Sequence, residues 1–162
     1  MIDNPLKMVQ STCAELKTLT PTEAAYLAGL IDGEGSFFIA KLKRANKIGF
    51  TYTPTMVIIN TSDVMITLCH RYGGHYQAQE HTVNWKTVHR WYISSRLVKH
   101  YLPQIMPYLQ IKPLQAVVMM EAVNVSGGTG HDRTEADFAK LENCRKRLME
   151  LNARGKKQGR YD

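Results

Sequence analysis

Cysteine is scarce: Cys13, Cys69 and Cys144 are the only three in 162 residues. Their number is odd and no two stand in a Cys-x-x-Cys spacing, which argues against a disulfide framework and a zinc site and suits a reducing compartment. Long hydrophobic runs are missing too. No stretch approaches the roughly 18 uninterrupted apolar residues of a membrane span, and Met1 to Gln10 holds no apolar run of the signal-peptide kind. The expectation is a soluble, intracellular chain without a membrane partner, in a prokaryotic cytoplasm or an organelle. Negative charge is also short, with 14 acidic residues against 21 lysines and arginines and a formal charge of +7. Such an excess asks for a polyanion or merely confers solubility. The six histidines are scattered, without the spacing that sets two of them and a carboxylate around a metal. Gly29, Gly33 and Gly35 build neither a dinucleotide nor a P-loop signature, and Phe37, Phe38 and Ile39 interrupt any calcium loop.

What is present suffices for a core. Hydrophobic residues make up 44% of the chain and charged ones 22%, so a single α+β domain is expected over residues 20–153, after an extension over 1–19 and before a basic tail over 154–162. Thr20, Pro21 and Glu23 form a capping box with proline at the first helical position, so a helix starts there. Ala24 to Ile31 is apolar all round, which requires burial on several sides or packing against another copy. Ala25, Gly29 and Gly33 fall four apart on one face, where a second backbone can approach closely. Two helical glycines cost about 1 kcal/mol each relative to alanine, so close packing is their expected purpose.

From Gly35 the apolar period becomes two. Gly35–Arg44 and Phe50–Asn60 read as a strand pair, with Thr51, Thr53 and Thr55 on one face and Tyr52, Met56 and Ile58 on the other. Pro54 requires an edge or a bulge. In the first strand Phe37 and Ile39 share parity with Lys41 and Lys43, and a bulge near Phe38 or Ile39 is expected to turn the lysines outward. Ser62 or Asp63 caps a short helix that ends at Gly73-Gly74. A second strand pair follows at His75–His81 and Thr87–Ser94, then helices at Ser95–Leu109, Lys112–Val125 and Thr134–Asn152. The extension has one weak helical signal, Leu6, Val9, Cys13 and Leu16 along one side. One face of a four-stranded antiparallel sheet thus carries hydroxyls, amides and cations, which suit base edges and phosphates, or simply water.

Leu27 to Gly35 reads LAGLIDGEG. It closely resembles the signature of the LAGLIDADG homing endonucleases, identical at seven of nine positions, with Gly33 for Ala and Glu34 for Asp. The resemblance extends to element order, since αββαββα followed by C-terminal helices is that family's arrangement. A single motif and this length are similar to the family's homodimeric members. The resemblance implies a metal-dependent endonuclease that cuts both strands of a long, pseudo-palindromic double-stranded DNA site and promotes intron mobility. It implies Glu34 as catalytic and metal-ligating, the Gly33 carbonyl as a second ligand, Mg²⁺ as the cation, and a homodimer interface through Ala25, Gly29 and Gly33. Asn60 matches a polar amide that holds active-site water, or else ends its strand as a turn residue. Lys112 matches a lysine near the scissile phosphate, or else is a surface cation before a helix.

The resemblance further implies that the polar sheet face lies in the major groove. The DNA-binding candidates are Ser36, Lys41, Lys43, Arg44, Thr51, Thr53, Thr55, Gln77, Gln79, His81, Arg90 and Tyr92. Lys140, Arg145, Lys146 and Arg147, with tail residues Arg154, Lys156, Lys157 and Arg160, are expected on phosphates. Two alternatives stay open: a maturase that binds its own intron RNA, and a catalytically inactive DNA-binding regulator of the same fold.

Overall fold

The computed structural model describes residues 6–12, 14–45, 49–80, 85–125 and 133–153, the first segment as backbone only. The elements are β1 (Leu6–Thr12), α1 (Pro21–Glu34), β2 (Gly35–Lys43), β3 (Phe50–Asn60), α2 (Val64–Tyr72), β4 (Gly74–Gln79), β5 (Val88–Ser94), α3 (Ser95–Ile105), a 3-10 turn at Met106–Tyr108, α4 (Pro113–Val123) and α5 (Glu135–Asn152). From α1 to α3 the order is αββαββα, as expected. The capping box forms: the Glu23 N–H donates to Thr20 Oγ1 at 3.2 Å, and the Thr20 N–H donates to Glu23 Oε2 at 3.0 Å.

The sheet is antiparallel throughout, in the order β1-β4-β5-β3-β2. It has five strands where four were expected. Residues 6–12, which offered one side of a short helix, pair instead with β4 from Leu6↔Gln79 to Thr12↔Gly74. An uncovered edge of β4 would expose a row of unpaired backbone groups, and an isolated helical turn is too short to hold itself together. Part of the expected N-terminal extension is therefore a strand of the domain's own sheet.

β2 and β3 pair without a break from Gly35↔Ile58 to Lys43↔Phe50, so the bulge expected near Phe38 or Ile39 does not form. The period of two runs straight through. Phe37 and Ile39 point into the core and Lys41 points the same way, where its ammonium lies 3.3 Å from Glu142 of α5 and over the rings of Phe50 and Tyr52. A charge with partners on the helix side has no need of a bulge to reach water. Pro54 does find an edge, because β5 pairs with β3 only from Thr55 onward.

All five helices pack on one face of the sheet, burying Ile31, Phe37, Met56, Ile58, Trp91 and Leu102 among others. The α2–β4 junction is tightly specified. Gly73 and Gly74 have φ of +84° and +110°, a Cβ on Gly74 would stand 2.4 Å from the Tyr92 carbonyl oxygen, and the buried Trp91 indole N–H donates to the Gly73 carbonyl at 2.8 Å. The helix expected over Ser95–Leu109 stops at Ile105 and tightens into the 3-10 turn, where Pro107 cannot donate an α-helical hydrogen bond.

Candidate active site and nucleic-acid interface

α1 buries Ala24, Leu27, Ala28 and Ile31 and exposes Ala25, Tyr26, Gly29 and Gly33. The expected small-residue stripe is therefore on the surface of the single chain. A Cβ built on Gly29 or Gly33 meets nothing within 4 Å, so no neighbour among the described residues requires glycine there. Gly35, which ends the helix, is different: its Cβ would sit 2.7 Å from the Ile31 carbonyl oxygen.

The last turn of α1 is tied to the segment before α4 in both directions. The Asp32 carboxylate accepts from the backbone N–H groups of Gln110 at 2.7 Å, Ile111 at 3.1 Å and Lys112 at 3.0 Å. In return the Lys112 ammonium donates to the carbonyls of Ile31 at 2.9 Å, Asp32 at 2.9 Å and Gly35 at 2.7 Å. Each charge stands at the helix end that the dipole favours, the carboxylate before the N-terminus of α4 and the ammonium at the C-terminus of α1. Burial pulls the Lys112 ammonium below the usual lysine value, and the Asp32 and Glu34 carboxylates oppose that shift.

Glu34 is exposed at the end of this turn. Among the described residues no group of three or more His, Cys, Asp or Glu side chains is arranged to hold a metal ion. The carboxylate of Glu34 and the carbonyl of Gly33 are nevertheless hard oxygen donors of the kind Mg²⁺ prefers, and Lys112 takes carbonyls before and after the Gly33–Glu34 pair rather than that of Gly33. Asn60 ends β3, and its Oδ1 accepts from the Ser62 N–H at 2.9 Å. This Asx-type turn is the strand-ending role foreseen for it, and it uses the amide oxygen rather than the NH₂.

The sheet face away from the helices gathers eight of the twelve DNA-binding candidates by parity and pairing: Ser36, Thr51, Thr53, Thr55, Gln77, Gln79, Arg90 and Tyr92. Tyr92 pairs with Val57 on one side and His75 on the other, and Arg90 with Ile59 and Gln77. The Arg90 guanidinium donates to Gln79 Oε1 at 2.6 Å. Arg44 follows β2 and is exposed. Lys41 and Lys43 have the opposite parity, so the uninterrupted register separates them from this face. His81 lies outside the described residues, as do Cys13, Arg154, Lys156, Lys157 and Arg160. On α5, Arg145 pairs with Glu142 and Arg147 with Glu121, which commits two of its four expected phosphate contacts within the chain.

A family model described as LAGLIDADG endonuclease matches residues 27–117, more than half of the chain. The chain belongs to the LAGLIDADG endonuclease family. Solved structures share the fold of this LAGLIDADG chain. The archaeal intron-encoded homing endonuclease I-Vdi141I, complexed with DNA, superimposes with a TM-score of 0.67 at 18% identity, over 87% of this chain and 89% of that one. I-CvuI in complex with its target in the presence of 2 mM Ca gives 0.67 at 15% identity, over 84% and 85%. I-SmaMI bound to cleaved DNA gives 0.62 at 16% identity, over 86% of this chain but 48% of that one. At these identities the likeness is one of fold. A comparison with curated proteins found no match.

Within the LAGLIDADG motif, sequence reasoning overlooked Asp32. An acid in the last turn of a helix opposes the dipole, and that conflict was the available signal for a partner elsewhere. It also overlooked Leu42, which continues the open face; extending the parity of Phe37 without a bulge finds Leu42 and sets Lys41 aside.

Proposed function

We propose that this chain is a homodimeric, Mg²⁺-dependent, site-specific endonuclease for double-stranded DNA, serving intron mobility and cutting each strand of a long, pseudo-palindromic target with one of two active sites. The observation that carries this reading is Glu34, exposed at the end of a helix whose outer face is open at Gly29 and Gly33. Two copies meeting along that face bring their Glu34 carboxylates together, and neighbouring carboxylates both stay ionised only beside a cation. The chain's spanning of about half of I-SmaMI agrees with a two-copy assembly.

Glu34 and the Gly33 carbonyl would hold Mg²⁺, which activates water and stabilises the leaving oxygen in phosphodiester hydrolysis. With its Oδ1 committed to Ser62, Asn60 offers its NH₂ to water beside the phosphate. The open sheet face lies in the major groove, where Gln77 and Gln79 suit adenine, Arg90 suits guanine and the threonine methyls meet thymine.

The test uses a duplex joining the two sequences that flank the host intron. The wild-type chain cuts both strands when Mg²⁺ is added. Glu34→Gln binds the same duplex within a few-fold of wild type and cuts on the order of 10²–10³-fold more slowly. Undiminished cleavage by this variant refutes the assignment of Glu34, and tight binding to intron RNA without cleavage of the duplex by the wild-type chain moves the reading to a maturase.

A further inference from the structure

The Lys112 ammonium meets the end of α1, and the family resemblance sets a lysine in this region beside the scissile phosphate. The geometry points to a different task. We infer that Lys112 is a positioning residue: with Asp32 it forms a reciprocal clamp that fixes the backbone on both sides of Gly33 and Glu34.

An ammonium has three hydrogens, and here three carbonyl oxygens receive them at 2.7 to 2.9 Å. Two of those carbonyls, of Ile31 and Asp32, precede the Gly33–Glu34 pair and the third, of Gly35, follows it. To reach a phosphate, Lys112 must first release one of them. The Ile31 carbonyl also accepts the Gly35 N–H, but that of Asp32, in the last turn, is one that a helix leaves without an internal partner, so its release exposes a group that α1 cannot satisfy itself. Asp32 supplies the other half. Its carboxylate takes the N–H groups of residues 110–112, so the segment that carries the ammonium is held by the same turn that the ammonium holds. The two strands of chain lie about 80 residues apart in sequence. A positive charge beside Glu34 works against cation affinity, so its presence is better explained by what it does to the backbone.

This inference rests on the proposed function only for what Glu34 does once positioned. Its first readout therefore uses the free protein, with neither metal nor DNA. Amide hydrogen exchange of the peptide over residues 29–37 accelerates about tenfold in Lys112→Met, and Asp32→Asn does the same while also accelerating residues 110–112. The double variant is no worse than the poorer single one, because either substitution opens the same clamp. Unchanged exchange in both single variants overturns the clamp.

The second readout separates positioning from phosphate contact. Loss of a residue that orients metal ligands raises the Mg²⁺ concentration for half-maximal cleavage about 10–100-fold, with the rate recovering at saturating Mg²⁺. Loss of a phosphate contact lowers the rate at every Mg²⁺ concentration and leaves the midpoint in place. Lys112→Arg sharpens the distinction. A planar guanidinium serves a phosphate at least as well as an ammonium does, but it cannot fan its donors onto three carbonyls around one nitrogen. The expected result is that Arg fails to restore the midpoint; a wild-type midpoint and rate in Lys112→Arg overturns the inference. If the wild-type chain cuts no duplex while exchange at residues 29–37 responds as stated, the proposed function fails and the clamp stands.

Discussion

Gly29→Ala separates the stability of the chain from the stability of its dimer, because the two should move in opposite directions. In the single chain Gly29 lies within α1 on the exposed side, and an added Cβ meets nothing within 4 Å. The methyl therefore brings only its effect on helix formation, a gain of about 1 kcal/mol. For a chain of this size that raises the melting temperature by about 2–4 °C. In a dimer whose helices meet along Ala25, Gly29 and Gly33, the same methyl intrudes where two backbones approach. Overpacking costs about 1–3 kcal/mol per site, and two-fold symmetry counts it twice. Even the low end, about 2 kcal/mol, weakens the dimer about 30-fold. Sedimentation equilibrium measures the association. Urea unfolding at concentrations where the monomer predominates measures the chain. A gain in chain stability with unchanged association refutes α1 as the interface, and a loss of chain stability refutes the claim that nothing in the single chain needs glycine there.

Two further predictions concern charge. The Thr20 N–H, followed by the Tyr72 hydroxyl, holds the Glu23 carboxyl below its usual value near 4.5. Its contribution to stability is then complete above about pH 4.5 and is lost as pH falls through the lower folded value, so Glu23→Gln should flatten the acid limb of a melting-temperature profile. Tyr72, which donates to Glu23 at 2.9 Å, is pushed up from 10.0 to about 12 by burial first and by that carboxylate second. Its contribution is complete below pH 10 and fades as pH climbs towards about 12, a loss that Tyr72→Phe should remove from the alkaline limb. On the open face, Gln79→Ala frees the Arg90 guanidinium; competition binding should show discrimination at one base pair fall by about 1–3 kcal/mol with the salt dependence unchanged. Arg90→Ala should lose the same discrimination, and an equal loss at every position of the target would refute base reading by this pair.

Most of the architecture was legible because local chemistry and long-range packing agreed. The Thr20 capping box, the alternation of Thr51, Thr53 and Thr55 with Tyr52, Met56 and Ile58, and the Gly73-Gly74 stop each appear where the residues ask for them. Reading failed where a distant partner changed the balance. Lys41 seemed to need water, but Glu142 lies about a hundred residues away in sequence and no local pattern announces it. The Leu6–Thr12 segment has little preference of its own and takes its conformation from the open edge of β4. The same holds at the site. The nonamer pointed to Glu34, whereas the roles of Asp32 and Lys112 depend on two segments that meet only in the folded chain.

The pinned junction at Gly73-Gly74 has a consequence for how such a protein can change. Gly74 cannot gain a side chain without striking the Tyr92 carbonyl, and Trp91 locks the neighbouring carbonyl, so β4 cannot slide against β5. Residues facing away from the helices can be exchanged without touching the core, and exposed substitutions of that sort usually alter stability by less than about 0.5 kcal/mol. On the proposed reading of this face, lineages carrying this sheet are therefore free to drift in the bases they favour while the frame that presents those residues stays constant. A slip of one residue would invert β4 and turn Tyr76 and Ala78 out of the core at once, so new preferences arise by replacement at fixed stations.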